Sequence, residues 1–201
     1  MKTIGIMTRI DVLNNKSIHY IPSDIFYKVK DKVNVIIIPF RDKDKLQNII
    51  HQINLCDGII LPGGDDIYPL ELELCKYLYQ ANIPTLGICL GMQTMACAID
   101  GTLGTLPNLK HKSKETYVHI VNIYQNSLLY KIIKEKKIIV NSRHKDYVTN
   151  TKLSISASSD DNIIEAIEDQ NKKFFLGLQW HPENLNDEYS HKIFDYFVDM
   201  L

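Results

Sequence analysis

Cys89 is the residue whose neighbours best equip it for covalent chemistry. It lies in Pro84-Thr85-Leu86-Gly87-Ile88-Cys89-Leu90-Gly91-Met92-Gln93, where an apolar strand runs straight into a helical segment over Met92–Ile99. Gly-x-Cys-x-Gly at such a junction is the thiol counterpart of the nucleophile elbow. The turn is tight, so a β-carbon at Gly87 or Gly91 would meet neighbouring backbone. Cys89 itself would be strained, its sulfur held above the sheet edge. The helix N-terminus beside that sulfur favours the thiolate. Two glycines alone leave open an ordinary core cysteine in a strand–turn–helix.

An activated thiol needs a base. Gly177-Leu178-Gln179-Trp180-His181-Pro182-Glu183 closes the last predicted strand and offers His181. Glu183 is two residues on, which in extended backbone puts both side chains on one side. A carboxylate there fixes the imidazole tautomer and stabilises the imidazolium. Leu61-Pro62-Gly63-Gly64-Asp65-Asp66 follows another apolar run. Adjacent glycines let backbone approach a ligand closely. The N–H of Gly63 or Gly64, with that of Leu90, could form an oxyanion hole. A flexible turn is the plainer reading of that segment by itself.

These residues need a frame to hold them. Four runs, Ile4–Met7, Val33–Pro39, Gly58–Leu61 and Thr85–Cys89, are apolar nearly throughout, as in strands buried on both faces of a parallel sheet. Helical spacing lies between them at Ser23–Val29, Asp44–Ile53 and Pro69–Gln80. A helix near Ser127–Glu135 follows, then strands at Lys137–Asn141, Leu153–Ser158, Ile163–Glu168 and Phe174–Trp180, and a last helix over Glu188–Met200. The alternation predicts an α/β fold, a doubly wound, mostly parallel sheet with helices on both faces. The ligand site should lie beyond the carboxyl ends of its strands.

Composition narrows the function classes. The 201 residues favour one domain over 1–201, and 45% hydrophobic residues support a globular core. With 23 basic against 24 acidic residues there is no electrostatic footprint for nucleic acid. No apolar run approaches the roughly 18 residues of a membrane span. The N-terminus reaches Arg9 and Asp11 too soon for a signal peptide, so a cytoplasmic location is expected. Cys56, Cys75, Cys89 and Cys97 fit no zinc or two-residue redox spacing.

GICLGMQ, LPGGDD and LQWHPE, set on this alternation, resemble the class I glutamine amidotransferase superfamily. Within it, the Trp180 form of the histidine motif, the Asp65–Pro69 segment and Val140-Asn141-Ser142-Arg143-His144 resemble the γ-glutamyl-γ-aminobutyrate hydrolase branch, peptidase family C26. The resemblance runs from Ile4 to Glu183. It implies a catalytic triad of Cys89, His181 and Glu183, a γ-glutamyl thioester intermediate, and no metal or organic cofactor. It implies a γ-glutamyl small molecule as substrate, with Gln93, Asn141, Ser142, Arg143, His144 and Lys145 on the substrate side. The branch usually has a longer segment than Ile67–Pro84 and paired histidines where this chain has Arg143-His144-Lys145-Asp146. A shorter wall and two cations suit a larger anionic substrate, such as a nucleotide-linked γ-glutamyl-CDP-amidate. Two other readings stay open. One is a glutaminase subunit passing ammonia to a partner synthetase. The other is a catalytically idle binding module, which would have no reason to keep all three triad residues.

Overall fold

The computed structural model describes every residue except Asp42 and Leu109. In chain order its elements are β1 (Thr3–Met7), β2 (Arg9–Leu13), β3 (Lys16–Tyr20), α1 (Ser23–Val29), β4 (Asn34–Ile38), α2 (Leu46–Ile53), β5 (Gly58–Leu61), α3 (Pro69–Gln80), β6 (Thr85–Ile88) and α4 (Leu90–Ala98). Then come β7 (Thr102–Thr105), β8 (His119–Ile123), α5 (Leu128–Ile133), β9 (Lys137–Val140), β10 (Asp146–Asn150), β11 (Ser154–Ser159), β12 (Ile164–Glu168), β13 (Phe175–Leu178), a 3-10 turn at Pro182–Asn184 and α6 (Glu188–Asp199).

Nine strands form one sheet in the order β4-β1-β5-β6-β13-β12-β11-β8-β9. The first five are parallel, the arrangement the apolar runs predict. Beyond β13 the sheet continues antiparallel. One core packs α1, α5 and α6 on one face, through Ile25, Leu129, Ile193 and Phe197. The other packs α2, α3 and α4, through Ile49, Leu74, Leu78 and Met95. β5 and β6 are buried at every position because helices cover both faces. β4 departs from that expectation: it is the sheet edge, and Ile37 is 42% exposed.

Two ribbons lie outside the main sheet. β2 and β3 form a hairpin closed by Asn14 and Asn15, both at positive φ (50° and 61°). A two-residue loop of that kind matches the twist of its strands, and asparagine tolerates the conformation. β7 pairs with β10. Both ribbons are largely exposed, so their sequences lack the apolar runs that mark the central strands.

Candidate active site

β6 and β13 are neighbours at the middle of the sheet, and the candidate residues cluster where these two strands end. Cys89 is the single residue between β6 and α4. Its backbone sits at φ 52°, ψ −105°. Positive φ is strained for a side-chain-bearing residue, and such strain clusters at functional sites. The surrounding glycines explain how the bend fits. A β-carbon on Gly87 would lie 2.8 Å from the backbone carbon of Gly91, and one on Gly91 would strike the Leu61 carbonyl oxygen. α4 begins at Leu90, two residues earlier than its apolar pattern suggests, so its first N–H groups sit directly against the cysteine.

His181 follows β13, and its ring Nδ1 lies 2.7 Å from Glu183 Oε1. The pairing arises differently from the extended-strand expectation. β13 ends at Leu178, and Pro182 and Glu183 open a 3-10 turn capped by His181 at φ −107°, ψ 85°. Proline's fixed φ starts that turn, which folds the carboxylate back under the imidazole. Since a carboxylate only accepts, Nδ1 carries the proton, and the other ring nitrogen is left for the sulfur. Burial lowers the His181 pKa, but hydrogen bonds to the Cys89 sulfur and to Glu183 outweigh it and raise the value to about 10. Gln179 Nε2 adds a 3.6 Å contact to the sulfur.

The glycine loop faces this pair. A β-carbon on Gly63 would stand 2.7 Å from His181 Cε1, so glycine is required for the approach itself. Neither loop glycine has positive φ. Arg9, at the start of β2, grips the loop from behind. Its Nε donates to the carbonyls of Pro62 and Gly63 at 3.1 Å each, its terminal nitrogen also reaches Pro62, and it pairs with buried Glu71 at 2.6 Å. In a planar trans peptide, C=O and N–H point opposite ways. Holding the two carbonyls therefore fixes the direction of the Gly63 and Gly64 N–H groups. Among the described residues no hydrogen bond uses those N–H groups or that of Leu90. Arg9 and Glu71 are 62 positions apart with no shared motif, so sequence reasoning had no signal for them.

Two clefts open on Cys89. One, of about 470 Å³, is bounded by Cys89, Gln93, Lys112, Arg143, Lys145 and the acids Asp65 and Asp146. The other, of about 810 Å³, runs past Gly63, Tyr20, His181 and Asn184, and Arg143 borders both. Arg143 and Lys145 thus reach the site, with exposed side chains, and Arg143 donates to Asn184. Lys112, bridged to Arg143, is a further cation that sequence reasoning missed.

Other residues expected on the substrate side are engaged inside the protein. Asn141 is fully buried. Its Nδ2 donates to the His181 carbonyl and its Oδ1 accepts from the His181 N–H, both at 2.8 Å. Ser142 is also fully buried and donates to the His111 carbonyl at 2.8 Å. Neither borders the clefts. Gln93 and His144 do, but the Gln93 amide nitrogen donates to the Asp146 carbonyl (2.8 Å) and to Gln179 (3.1 Å), and His144 Nδ1 lies 3.0 Å from the same carbonyl. Both residues follow the end of β9 directly, and these hydrogen bonds hold them inside the protein. No helix among the described residues is long and apolar enough to cross a membrane.

The Peptidase C26 family model matches residues 69–183. A glutamine amidotransferase-like protein of Rickettsia prowazekii is 30% identical over 76% of this chain and 78% of its own. Among solved structures, a GMP synthase protein of Thermoplasma acidophilum superposes with a TM-score of 0.74 at 20% identity, covering 100% of this chain and 94% of that one. The glutaminase domain of Trypanosoma brucei CTPS, with bound acivicin, gives 0.71 at 18% identity, covering 99% and 94%. At those identities the structures speak for the fold alone. Family model and relative together place the chain in the peptidase C26 family of the class I glutamine amidotransferase-like superfamily, as a hydrolase of amide bonds.

Proposed function

We propose that the chain cleaves a γ-glutamyl amide through a Cys89 thioester, with His181 as proton carrier and Glu183 as its orienting partner. The observation that carries this reading is the strained Cys89 at the elbow, against an imidazole already held by a buried carboxylate. A histidine pKa near 10 beside the sulfur favours an imidazolium–thiolate pair at neutral pH. The thiolate attacks the γ-carbonyl carbon, and the oxyanion is received by the N–H groups of Leu90 and the Gly63–Gly64 loop. His181 gives its proton to the amine nitrogen, the C–N bond breaks, and the acyl group stays on sulfur. Water then attacks the thioester as His181 takes its proton. Glutamate leaves and the ion pair is restored.

The glutamyl head carries an ammonium and a carboxylate, and the smaller cleft offers both Asp65 and Asp146 and the cations Lys112, Arg143 and Lys145. The amine half would lie in the larger cleft, where His181 can protonate it and Arg143 can meet an anionic group such as a phosphate. A nucleotide-linked γ-glutamyl amidate fits that chemistry. A second reading, a glutaminase subunit supplying ammonia to a synthetase, draws on the likeness to a glutamine-hydrolysing GMP synthase of Francisella tularensis, 31% identical over 70% of this chain and 27% of its own. Glutamate release from glutamine, γ-glutamyl-γ-aminobutyrate and γ-glutamyl nucleotide amidates separates the two. Strong activity on glutamine that appears only with a partner protein supports the second. Cys89→Ala should abolish turnover and leave the fold intact, with His181→Ala nearly as damaging and Glu183→Ala less so. Turnover within a few-fold of the parent in Cys89→Ala removes the thioester from the mechanism.

A further inference from the structure

One strand beyond β13, a second polar cluster is buried under the wall of the cleft. Glu165 on β12 has no exposed surface, and neither carboxylate oxygen has a hydrogen-bond partner among the described residues. Three imidazoles from separate segments converge on its Oε1: His111 Nδ1 at 3.5 Å, His119 Nε2 at 3.6 Å and His144 Nε2 at 3.8 Å. His119 uses neither ring nitrogen in a hydrogen bond, and His144 Nε2 has no partner.

The outer contacts decide what these nitrogens present. His111 Nε2 lies 3.1 Å from Asp161 Oδ2, and a carboxylate accepts, so Nε2 carries the proton. His111 Nδ1 is then a bare lone pair. The nearby Ser142 hydroxyl cannot serve it, because its proton goes to the His111 carbonyl. His144 Nδ1 faces the Asp146 carbonyl, so it too is protonated, and Nε2 presents a lone pair. Two lone pairs therefore meet a carboxyl group whose oxygens receive no hydrogen bond among the described residues, and burial raises its pKa well above the ordinary range, an expensive arrangement unless a proton or a metal ion is shared. A carboxylate on the far nitrogen of an imidazole is the usual outer support of a metal-bound histidine.

We propose that His111, His119 and Glu165 bind a divalent transition-metal ion of the zinc class, with His144 or a water completing a tetrahedron. The three primary ligand atoms lie within 4.8 Å of one another. Metal bonds of about 2.0–2.1 Å to nitrogen and oxygen give tetrahedral edges of about 3.3–3.4 Å, so the two edges to Glu165, at 3.5 and 3.6 Å, need only a slight contraction, and the edge between the two histidines closes from within 4.8 Å. Imidazole nitrogen with one carboxylate suits zinc rather than calcium or magnesium, which prefer all-oxygen shells. The ligands are the surprise relative to the expectation of no metal. They come from positions 111, 119 and 165, so no local spacing announces them. The ion would tie the segment carrying His111 and Lys112, which meets the chain after β9 at the isolated Lys112–Arg143 bridge, more firmly to the central sheet. It would brace the cationic wall of the cleft without touching the Cys89 chemistry.

The test is a Zn²⁺ titration of the chelator-stripped full chain against a chromophoric competitor, with Co²⁺ substitution read by visible absorption. One equivalent should bind tightly, and Co²⁺ should show tetrahedral d–d bands without a thiolate charge-transfer band. Glu165→Gln and His119→Ala should each weaken binding more than roughly 100-fold. Asp161→Asn, a surface change at a 52% exposed side chain, should weaken it roughly 10–100-fold, as loss of an outer partner does. Cys89→Ser should leave it unchanged. If Glu165→Gln does not fold, His119→Ala and Asp161→Asn still decide. Absence of stoichiometric binding by the folded parent, affinity unmoved by His119→Ala, or loss of binding in Cys89→Ser overturns the proposal.

Discussion

Asn141 offers the sharpest separation of a positioning role from a substrate-binding one. Both of its amide groups are committed to the backbone of His181, each at 2.8 Å, and the side chain is fully buried. Asn141→Leu keeps the volume and removes both hydrogen bonds. The His181 N–H and C=O would each be left without a partner, at about 1–3 kcal/mol apiece. Part of that cost should surface as lost stability, about 2–4 kcal/mol by urea denaturation. The rest should surface as a misplaced imidazole, because the peptide will rotate to find water. A shift of about 1 Å in a proton carrier costs on the order of 100-fold in rate. Steady-state glutamate release should therefore show kcat falling roughly 100-fold with KM within about two-fold of the parent. A KM increase with kcat preserved would mean that Asn141 contacts substrate and that the clamp on His181 is incidental.

Iodoacetamide at limiting dose should label Cys89 first, since burial raises the thiol pKa of Cys56 to about 11 and pushes those of Cys75 and Cys97 up as well; peptide maps with Cys56 or Cys97 ahead would contradict this. Replacing Arg143 and Lys145 together with Ala should raise KM for a phosphate-bearing γ-glutamyl amide only a few-fold, under about 1 kcal/mol, because both are exposed. Added salt should erase that difference, and an equal change on glutamine would refute an anionic substrate. His181 has a folded pKa near 10 against an ordinary 6.5, so its protonation contributes stability that is fully present below about pH 6.5 and is lost as pH rises through about 10. The urea midpoint should fall across that alkaline window, and the fall should shrink in Cys89→Ala; an unchanged slope in His181→Ala would locate the titration elsewhere.

The parallel half of the fold is legible because strands covered on both faces must be apolar throughout. α1, α3 and β5 begin and end where their patterns do. The β2–β3 hairpin is not legible for the complementary reason: it is largely exposed, and polar Asp11, Asn14, Asn15 and Lys16 interrupt any apolar run. The elbow, the histidine turn and the glycine loop are local motifs, so sequence spacing reveals them. The Arg9 grip and the His111–His119–Glu165 cluster depend on segments brought together by the sheet order, and no window of sequence contains them. Asn141 and Ser142 show the limit of motif reasoning in the other direction. The resemblance sets them on the substrate side, whereas both are fully buried just past the end of β9, held by hydrogen bonds to the His181 backbone and the His111 carbonyl.

The twisted backbone at Cys89 also bears on how such a chain could change over generations. A side-chain-bearing residue held at φ 52° costs on the order of 1–3 kcal/mol, and glycine at that position would not carry the cost. Mutational drift toward greater stability and selection for turnover therefore pull on position 89 in opposite directions. If the reaction ceased to matter to its host, loss of the thiol would be thermodynamically permitted and the scaffold would survive it. Catalytically silent descendants with sound folds are the expected residue of that asymmetry.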